Sequence, residues 1–432
     1  MGPITDKVAT AKSLPPETRI AIIGGGVIGV STALFLAERG IPVALFEKGE
    51  IAGEQSSRNW GWCRRTGRDS REMPLIVESM RLWEGMNART GRETGFRVKG
   101  IVYAAEKEEQ MARYAEWIKI ARQHGIETHL LNGEQAEALA PGLTRRLAGG
   151  MSTPLDGRAE PQKAVPAMAA KAQEDGAIIL QNCAVRGIET TNGRVSAVLT
   201  EKGRVRCEAV VVAGGAWSRL IISGFKAHLP QLKVRSSVFR TAPIEGGVEP
   251  AIAFSDFALR KRLDGGYTVA SLSGSIADIV PDSFRFFRDV IPSLSTEWRS
   301  LRFRERFFEE AFQWGRPDVH LRENPHSGPR TAPHGQCAGA RSAEKGNPGF
   351  CASRHCSGMG RANRHHAGYH SGHIAASGRR GPHRGDRLFR PWLRHRPRRG
   401  APRRRYGLQR NAARRPLSVS YLPLFRRNKN PH

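Results

Sequence analysis

A short apolar strand, a glycine turn and a helix follow one another over residues 20–39, and a second strand ends on an acid at residue 47. No other feature of the 432-residue chain restricts its fold as much. Gly24, Gly26 and Gly29 take the three glycine positions of G-x-G-x-x-G as a helix over residues 27–39 begins. The first glycine permits the tight turn, the second lets a diphosphate approach the backbone without meeting a Cβ, and the third lets the helix pack closely on the strand. Val27, Ile28 and Gly29 then stand at the positive end of the helix, where their N–H groups face an anion. Gly40 closes the helix, residues 42–46 give the second strand, and Glu47, with Lys48 beside it, falls eighteen residues after Gly29. A carboxylate there accepts both hydroxyls of an adenosine ribose and repels a 2′-phosphate, which disfavours NADP.

A glycine triad alone also serves ordinary turns, but strand, helix, second strand and terminal acid in this order point to a dinucleotide. The choice between FAD and NAD rests on the residues beyond the acid. Residues 53–61 (GEQSSRNWG) are polar and rich in side-chain donors, and in isolation they read as a solvated loop. Behind the glycine motif, the stretch resembles the FAD-dependent oxidoreductases of the D-amino-acid oxidase family, which includes D-amino-acid dehydrogenases, glycine oxidase and sarcosine oxidases. The resemblance implies that Ser56, Ser57, Asn59 and Gly61 lie against the ribityl chain and ring of FAD. Three later segments agree with it. Residues 98–104 resemble the strand that enters the family's substrate domain, and Asp156-Gly157 with Glu160-Pro161 and a helix over 162–174 resembles the return from it. Residues 208–218 (EAVVVAGGAWS) resemble the strand and turn whose Ala213, Gly214 and Trp217 pass the cofactor, and Val185 matches the place where backbone meets the adenine. The resemblance runs over residues 18–315.

The fold class expected is α/β. A discontinuous, Rossmann-like FAD-binding domain (residues 18–75 and 150–225) stands beside a mixed-sheet substrate domain (76–149 and 226–315), after a flexible N-terminus (1–17). Helices are expected over 74–88, 107–124 and 284–312, and strands over 234–240 and 267–270. The resemblance implies hydride removal from a carbon next to an amine, with an amino acid or secondary amine as substrate and oxygen or a quinone as electron acceptor. Arg64, Arg65, Arg240, Arg260 and Tyr267 are candidates to hold a substrate carboxylate, each with a competing reading as a surface or packing residue, so no catalytic residue is assigned. Trp60 and Trp62 either wall the flavin or anchor the loop. Cys63 is either redox-active or flavin-linked, or else a small, partly buried packing residue.

The formal charge of +29 would ordinarily suggest a nucleic acid or an anionic membrane as partner, but its distribution argues otherwise. Residues 321–432 carry 25 Lys and Arg against 3 Asp and Glu, whereas residues 1–320 carry 44 against 37. The tail's excess is almost all arginine, mixed with Gly, Pro and ten of the fourteen histidines, and it lacks apolar periodicity. Such sequence builds no core, and it is what GC-rich codons give in a wrong frame. Reading the last two bases of each codon with the first of the next, RLFRPWLRHRP at residues 387–397 permits Gly-Phe-Ser-Gly-His-Gly-Phe-Gly-Ile-Gly-Pro, the glycine-rich run with which the family closes over its flavin. GYHSGH at 368–373 permits Asp-Thr-Ile-Pro-Val-Ile, which resembles the segment placed before it. The tail is therefore expected to be an out-of-frame, disordered translation. Two competing readings are a basic nucleic-acid-binding protein and a nonfunctional frameshifted product. Cys337, Cys351 and Cys356 with His355, His365 and His366 match no common zinc spacing, so no metal is expected. Residues 1–18 lack the apolar core of a signal peptide and no run of about 18 apolar residues is present, which suggests a cytoplasmic enzyme, at most peripheral to the inner membrane.

Overall fold

The computed structural model describes residues 3–225, 227–272, 275–297, 301–305 and 368–370. Its first layer is a parallel sheet in the order Ala209–Val212, β1 (Ile20–Ile23), β2 (Val43–Phe46), Ile178–Leu180. These strands are apolar on both faces because both faces are covered. Ile22, Leu45 and Ile179 pack under helix α1 (Val27–Ala37) and helix Pro161–Glu174 through Val30, Leu34, Val165 and Met168. Ala21, Ile23, Ala44, Phe46 and Leu180 point the other way, against Val185, Val198 and Val205 of a three-stranded antiparallel sheet. α1 stops two residues before the expected end, where the Gly40 N–H donates to Ala37 O and that of Ile41 to Leu36 O, with Gly40 at φ +67°.

Residues 3–17 are not the flexible lead-in expected. Ile178–Leu180 is an edge strand whose backbone groups need partners. The segment supplies one within the strand, the Ala11 N–H donating to Ile179 O at 2.8 Å, and one just beyond it, where Thr10 Oγ1 accepts the Gln181 N–H at 3.0 Å.

The second layer is a seven-stranded sheet in the order Val238–Arg240, Tyr267–Ser271, Phe257–Lys261, Ala251–Ala253, Ile101–Ala105, Gly149–Thr153, His129–Asn132. It is mixed, since Ala251–Ala253 and Ile101–Ala105 pair parallel and the other neighbours antiparallel. The boundary expected at residue 150 falls inside one of its strands. Val102, Ile252, Phe257, Leu259 and Val269 bury one face with Ala136 and Ala140. The other face presents the register row Arg240, Thr268, Arg260, and it is this face that meets the loop after β2, through Arg260 Nε donating to Trp60 O.

Three other expectations are corrected. The strand over 98–104 divides at Gly100 (φ +76°), where Arg97–Val98 leaves to pair with Gly157–Arg158. The strand over 234–240 divides at Ser237, because Val234–Ser236 joins Ser275–Ile279 in a separate sheet while Val238–Arg240 joins the seven strands. Over the described residues the long helix expected over 284–312 is instead two helices, Pro281–Arg285 and Phe287–Glu297, with strand Leu301–Glu305 parallel to Ser275–Ile279; residues 298–300 and 306–312 lie outside the described residues. The alternation Leu-Arg-Phe-Arg-Glu has the period of a strand. Of the arginine-rich tail, Gly368–His370 forms a strand on Val234–Ser236. The rest of it, with the cysteines and histidines considered as metal ligands, lies outside the described residues.

Candidate functional site

The glycine turn is locked by its neighbours. A Cβ on Gly24 (φ +112°) would lie 2.5 Å from Ala213 O, and one on Gly29 would collide with the carbonyl oxygen of Gly24. The Ala213 N–H donates to Ile23 O at 2.8 Å, so the turns after β1 and after Ala209–Val212 share one edge. Gly26 caps α1 with no side-chain hydrogen bond, and the first turn holds no acidic residue. A helix start without a carboxylate suits an anion. Ile28 is 65% exposed there, and the Val27 N–H meets Ser56 Oγ at 2.9 Å.

Glu47 is buried, and its two oxygens accept from the N–H groups of Gly25 at 2.6 Å and Gly49 at 2.8 Å. Burial raises its pKa above the usual carboxylate range, against the pull of these two donors. Each carboxylate oxygen has a second lone pair, so the acid can still take one hydroxyl on each. The Cys183 N–H donates to Glu47 O at 2.9 Å, which brings Val185 to the same end of the sheet. Lys48 bridges Glu54 at 3.2 Å and sits 3.8 Å from the centre of the Trp217 ring. Gly214 O accepts the Trp217 N–H at 2.9 Å, and Gln55 Oε1 takes that of Ala216 at 3.0 Å.

The loop after this turn is braced from within. Asn59 Nδ2 donates to Ser56 O at 2.8 Å and its Oδ1 accepts the Gly61 N–H at 2.6 Å, while Ser57 is buried against Glu54 O. Gly61 (φ +71°) passes so close to Ala159 O and Arg260 that a Cβ would meet both. Beyond it Trp60, Trp62, Tyr103 and Tyr114 form a chain of edge-to-face rings, centres 5.7, 6.1 and 6.3 Å apart, between loop and sheet. Cys63 is buried and its thiol is pushed up to about 12 by that burial, so it packs rather than reacts.

The candidate carboxylate anchors separate by what already holds them. Arg260 pairs with Glu160 at 2.7 and 3.3 Å, and Arg65 pairs with the buried Asp156 at 3.0 Å. Tyr267 is buried with its hydroxyl donating to Val248 O at 3.0 Å, and Arg64 Nη1 is bound to Thr66 O. Of the three candidate arginines paired with a carboxylate, Arg240 is the most loosely held, since Asp264 lies 3.7 Å from it but grips Arg262 at 2.7 Å. Burial, with Arg262 close by, lowers the pKa of Arg240. Glu160 and Gln55 were not legible as site residues in the sequence. An acid before proline reads as an ordinary helix start, and only the register of Arg260 reveals the buried carboxylate's partner.

A parallel sheet with a glycine turn, an acid at the end of its second strand and a loop pressed on the arginine-bearing face of a mixed sheet is the two-layer architecture of nucleotide-dependent oxidoreductases. The chain belongs to the FAD dependent oxidoreductase (DAO) family, whose model matches residues 19–373, and the cofactor of that family is FAD. The match runs past residue 315, where the sequence resemblance ended, and stops before residues 387–397. Among solved structures, L-amino acid deaminase from Proteus myxofaciens, in complex with anthranilate, is 33% identical with a TM-score of 0.68, over 72% of this chain and 70% of that one. Mitochondrial sarcosine dehydrogenase of Mus musculus is 25% identical over 59% of this chain and 29% of its own length. Glycine oxidase of Geobacillus kaustophilus is 32% identical over 46% of this chain and 55% of its own. The chain thus spans about three tenths of the first curated relatives it matches.

Proposed function

We propose that this chain oxidises the carbon next to the nitrogen of an amino acid or N-alkylated amino acid, with Gly24, Gly26, Gly29 and the start of α1 holding the FAD diphosphate and Glu47 its ribose. The observation that carries the reading is the sheet face turned to the loop at residues 56–61, where Arg240 stands in register with Arg260 and is held by Asp264 only at 3.7 Å. The relatives act on amino acids or methylated glycines by name, and the solved deaminase holds an aromatic amino carboxylate. The residues present fit FAD, because the helix start carries no acidic residue, with only the Val27 N–H taken by Ser56 Oγ, and Glu47 retains lone pairs for hydroxyls.

Bound flavin supplies the two-electron acceptor. The chain's own part is to bind, orient and dry the site. Arg240 takes the substrate carboxylate as a charge-assisted pair. Val238, Ala270 and Ala258 form the next register row on the face that carries Arg240. The ring chain from Trp60 to Tyr103 excludes water from one side. Oxygen or a quinone then takes the electrons; no helix among the described residues is long and apolar enough to cross a membrane.

The test is anaerobic bleaching of the flavin band by a panel of amino acids, N-methyl amino acids and amines lacking a carboxylate. The carboxylated compounds should bleach it, and Arg240→Met should raise their half-saturation about 10- to 100-fold, the range set by a charged hydrogen bond, while leaving FAD affinity intact. Bleaching by carboxylate-free amines alone, or an unaffected Arg240→Met variant, would remove Arg240 from the site.

A further inference from the structure

We propose that the buried Glu160–Arg260 pair is a positioning device that sets the flavin-facing loop at residues 56–61 against the substrate sheet. The proposal rests on the reading that this loop faces the flavin. Arg260 is 1% exposed and Glu160 5%, so neither is a surface charge. Every nitrogen of the guanidinium has an acceptor. Nε donates to Trp60 O at 2.7 Å, Nη1 to Glu160 Oε1 at 2.7 Å, and Nη2 to Glu160 Oε2 and Thr268 Oγ1, both at 3.3 Å.

Each acceptor belongs to a different part of the fold. Trp60 is in the loop, Glu160 stands immediately before helix Pro161–Glu174 under the dinucleotide sheet, and Thr268 is in the seven-stranded sheet. Glu160 completes the triangle by accepting the Leu263 N–H at 3.0 Å, in the turn after the Arg260 strand. The same helix start grips the loop twice more, through the Ala159 N–H on Gly61 O at 2.8 Å and Gln162 Nε2 on Ser57 O at 2.5 Å. A guanidinium engaged at all three nitrogens is spent on the fold rather than on substrate. What it fixes is the carbonyl of Trp60, one residue before a glycine that tolerates no Cβ. Lysine in its place keeps the charge but lacks the planar fork that serves three acceptors in fixed directions.

The experiment compares the full chain with Arg260→Lys, Glu160→Gln and the apolar double variant Glu160→Met/Arg260→Met, which removes both charges together. FAD titration, visible circular dichroism of the bound flavin, and amide hydrogen exchange of residues 56–63 without FAD are measured on each. The expected result is faster exchange in that segment, at least 10-fold weaker FAD binding and an altered flavin dichroism in the double variant, with Arg260→Lys between it and wild type. A double variant that folds, keeps wild-type exchange in residues 56–63 and binds FAD within about twofold of wild type overturns the proposal. So does faster exchange with unchanged affinity and dichroism, because the pair would then be structural only. If the single variants fail to fold, the charge-neutral double variant still gives the answer. Absence of FAD binding by the unsubstituted chain is a separate outcome: it overturns the flavin-site reading itself and takes the proposal with it.

Discussion

Gly29 and Glu47 carry the most information per residue, and each makes a prediction of its own. A Cβ at position 29 runs into the Gly24 carbonyl, a backbone atom that cannot move without undoing the turn. Gly29→Ala should cost about 1–3 kcal/mol or more by overpacking, visible as a lower thermal midpoint together with loss of retained FAD. Glu47 works through its proton. Its pKa is raised by burial, so the ligand-free protein holds the proton above the usual carboxylate range. Ribose hydroxyls donate to the ionised form, so binding releases that proton. FAD affinity should therefore rise with pH through the raised Glu47 titration and fall below it, by up to about tenfold per pH unit. Glu47→Gln should bind weakly and flatten that slope, as isothermal titration at a series of pH values would show. Cys63 gives a negative prediction. With its thiol pushed up to about 12 and shielded, it should resist iodoacetamide in the native protein and react once denatured; rapid native labelling would contradict its packing role.

At the scale of elements, local rules made β1, α1 and β2 legible, because the glycine spacing, the apolar strands and the closing Gly40 all agree. They failed where pairing is set at long range. Nothing local in residues 234–240 says that the strand serves two sheets, and the split at Ser237 follows from where Ser275–Ile279 and Tyr267–Ser271 lie. The strand Leu301–Glu305 was hidden in an aromatic-rich stretch that suits a helix as well. The site divides the same way. The residues proposed for its dinucleotide half are contiguous in sequence, whereas our choice among five candidate anchors rests on the register row that sets Arg240 in line with Arg260. That row makes a testable statement about the sheet: Thr268→Val, which keeps shape and removes one acceptor of Arg260, should lower stability by about 0.5–1.5 kcal/mol without changing FAD affinity more than a few-fold.

For the whole molecule the question is how the adenosine site we propose coexists with residues 321–432. The family match ends at residue 373, before the stretch that permits the closing glycine run in another frame. The match runs in the present frame past codons 315–330, so our proposal of a shifted reading frame rests on the composition and shifted-frame decoding of residues 321–432 alone; it separates affinity for FAD from turnover. Resequencing the gene around codons 315–330 should reveal an intact alternative frame. Restoring that frame should raise the rate of amine-driven flavin bleaching while changing the affinity for FAD less. An unaltered frame, confirmed at the DNA level, would leave the arginine-rich segment as a genuine part of the protein.

The central claim, that the glycine turn and Glu47 hold FAD, is tested most directly by titrating the purified chain with FAD and with NADP while following the flavin absorbance and the heat of binding. The account predicts saturable, one-to-one FAD binding that Glu47→Gln and Gly29→Ala abolish or weaken severely, with no comparable binding of NADP. A colourless protein that gives no heat with FAD, or one whose FAD binding survives both substitutions unchanged, would contradict it.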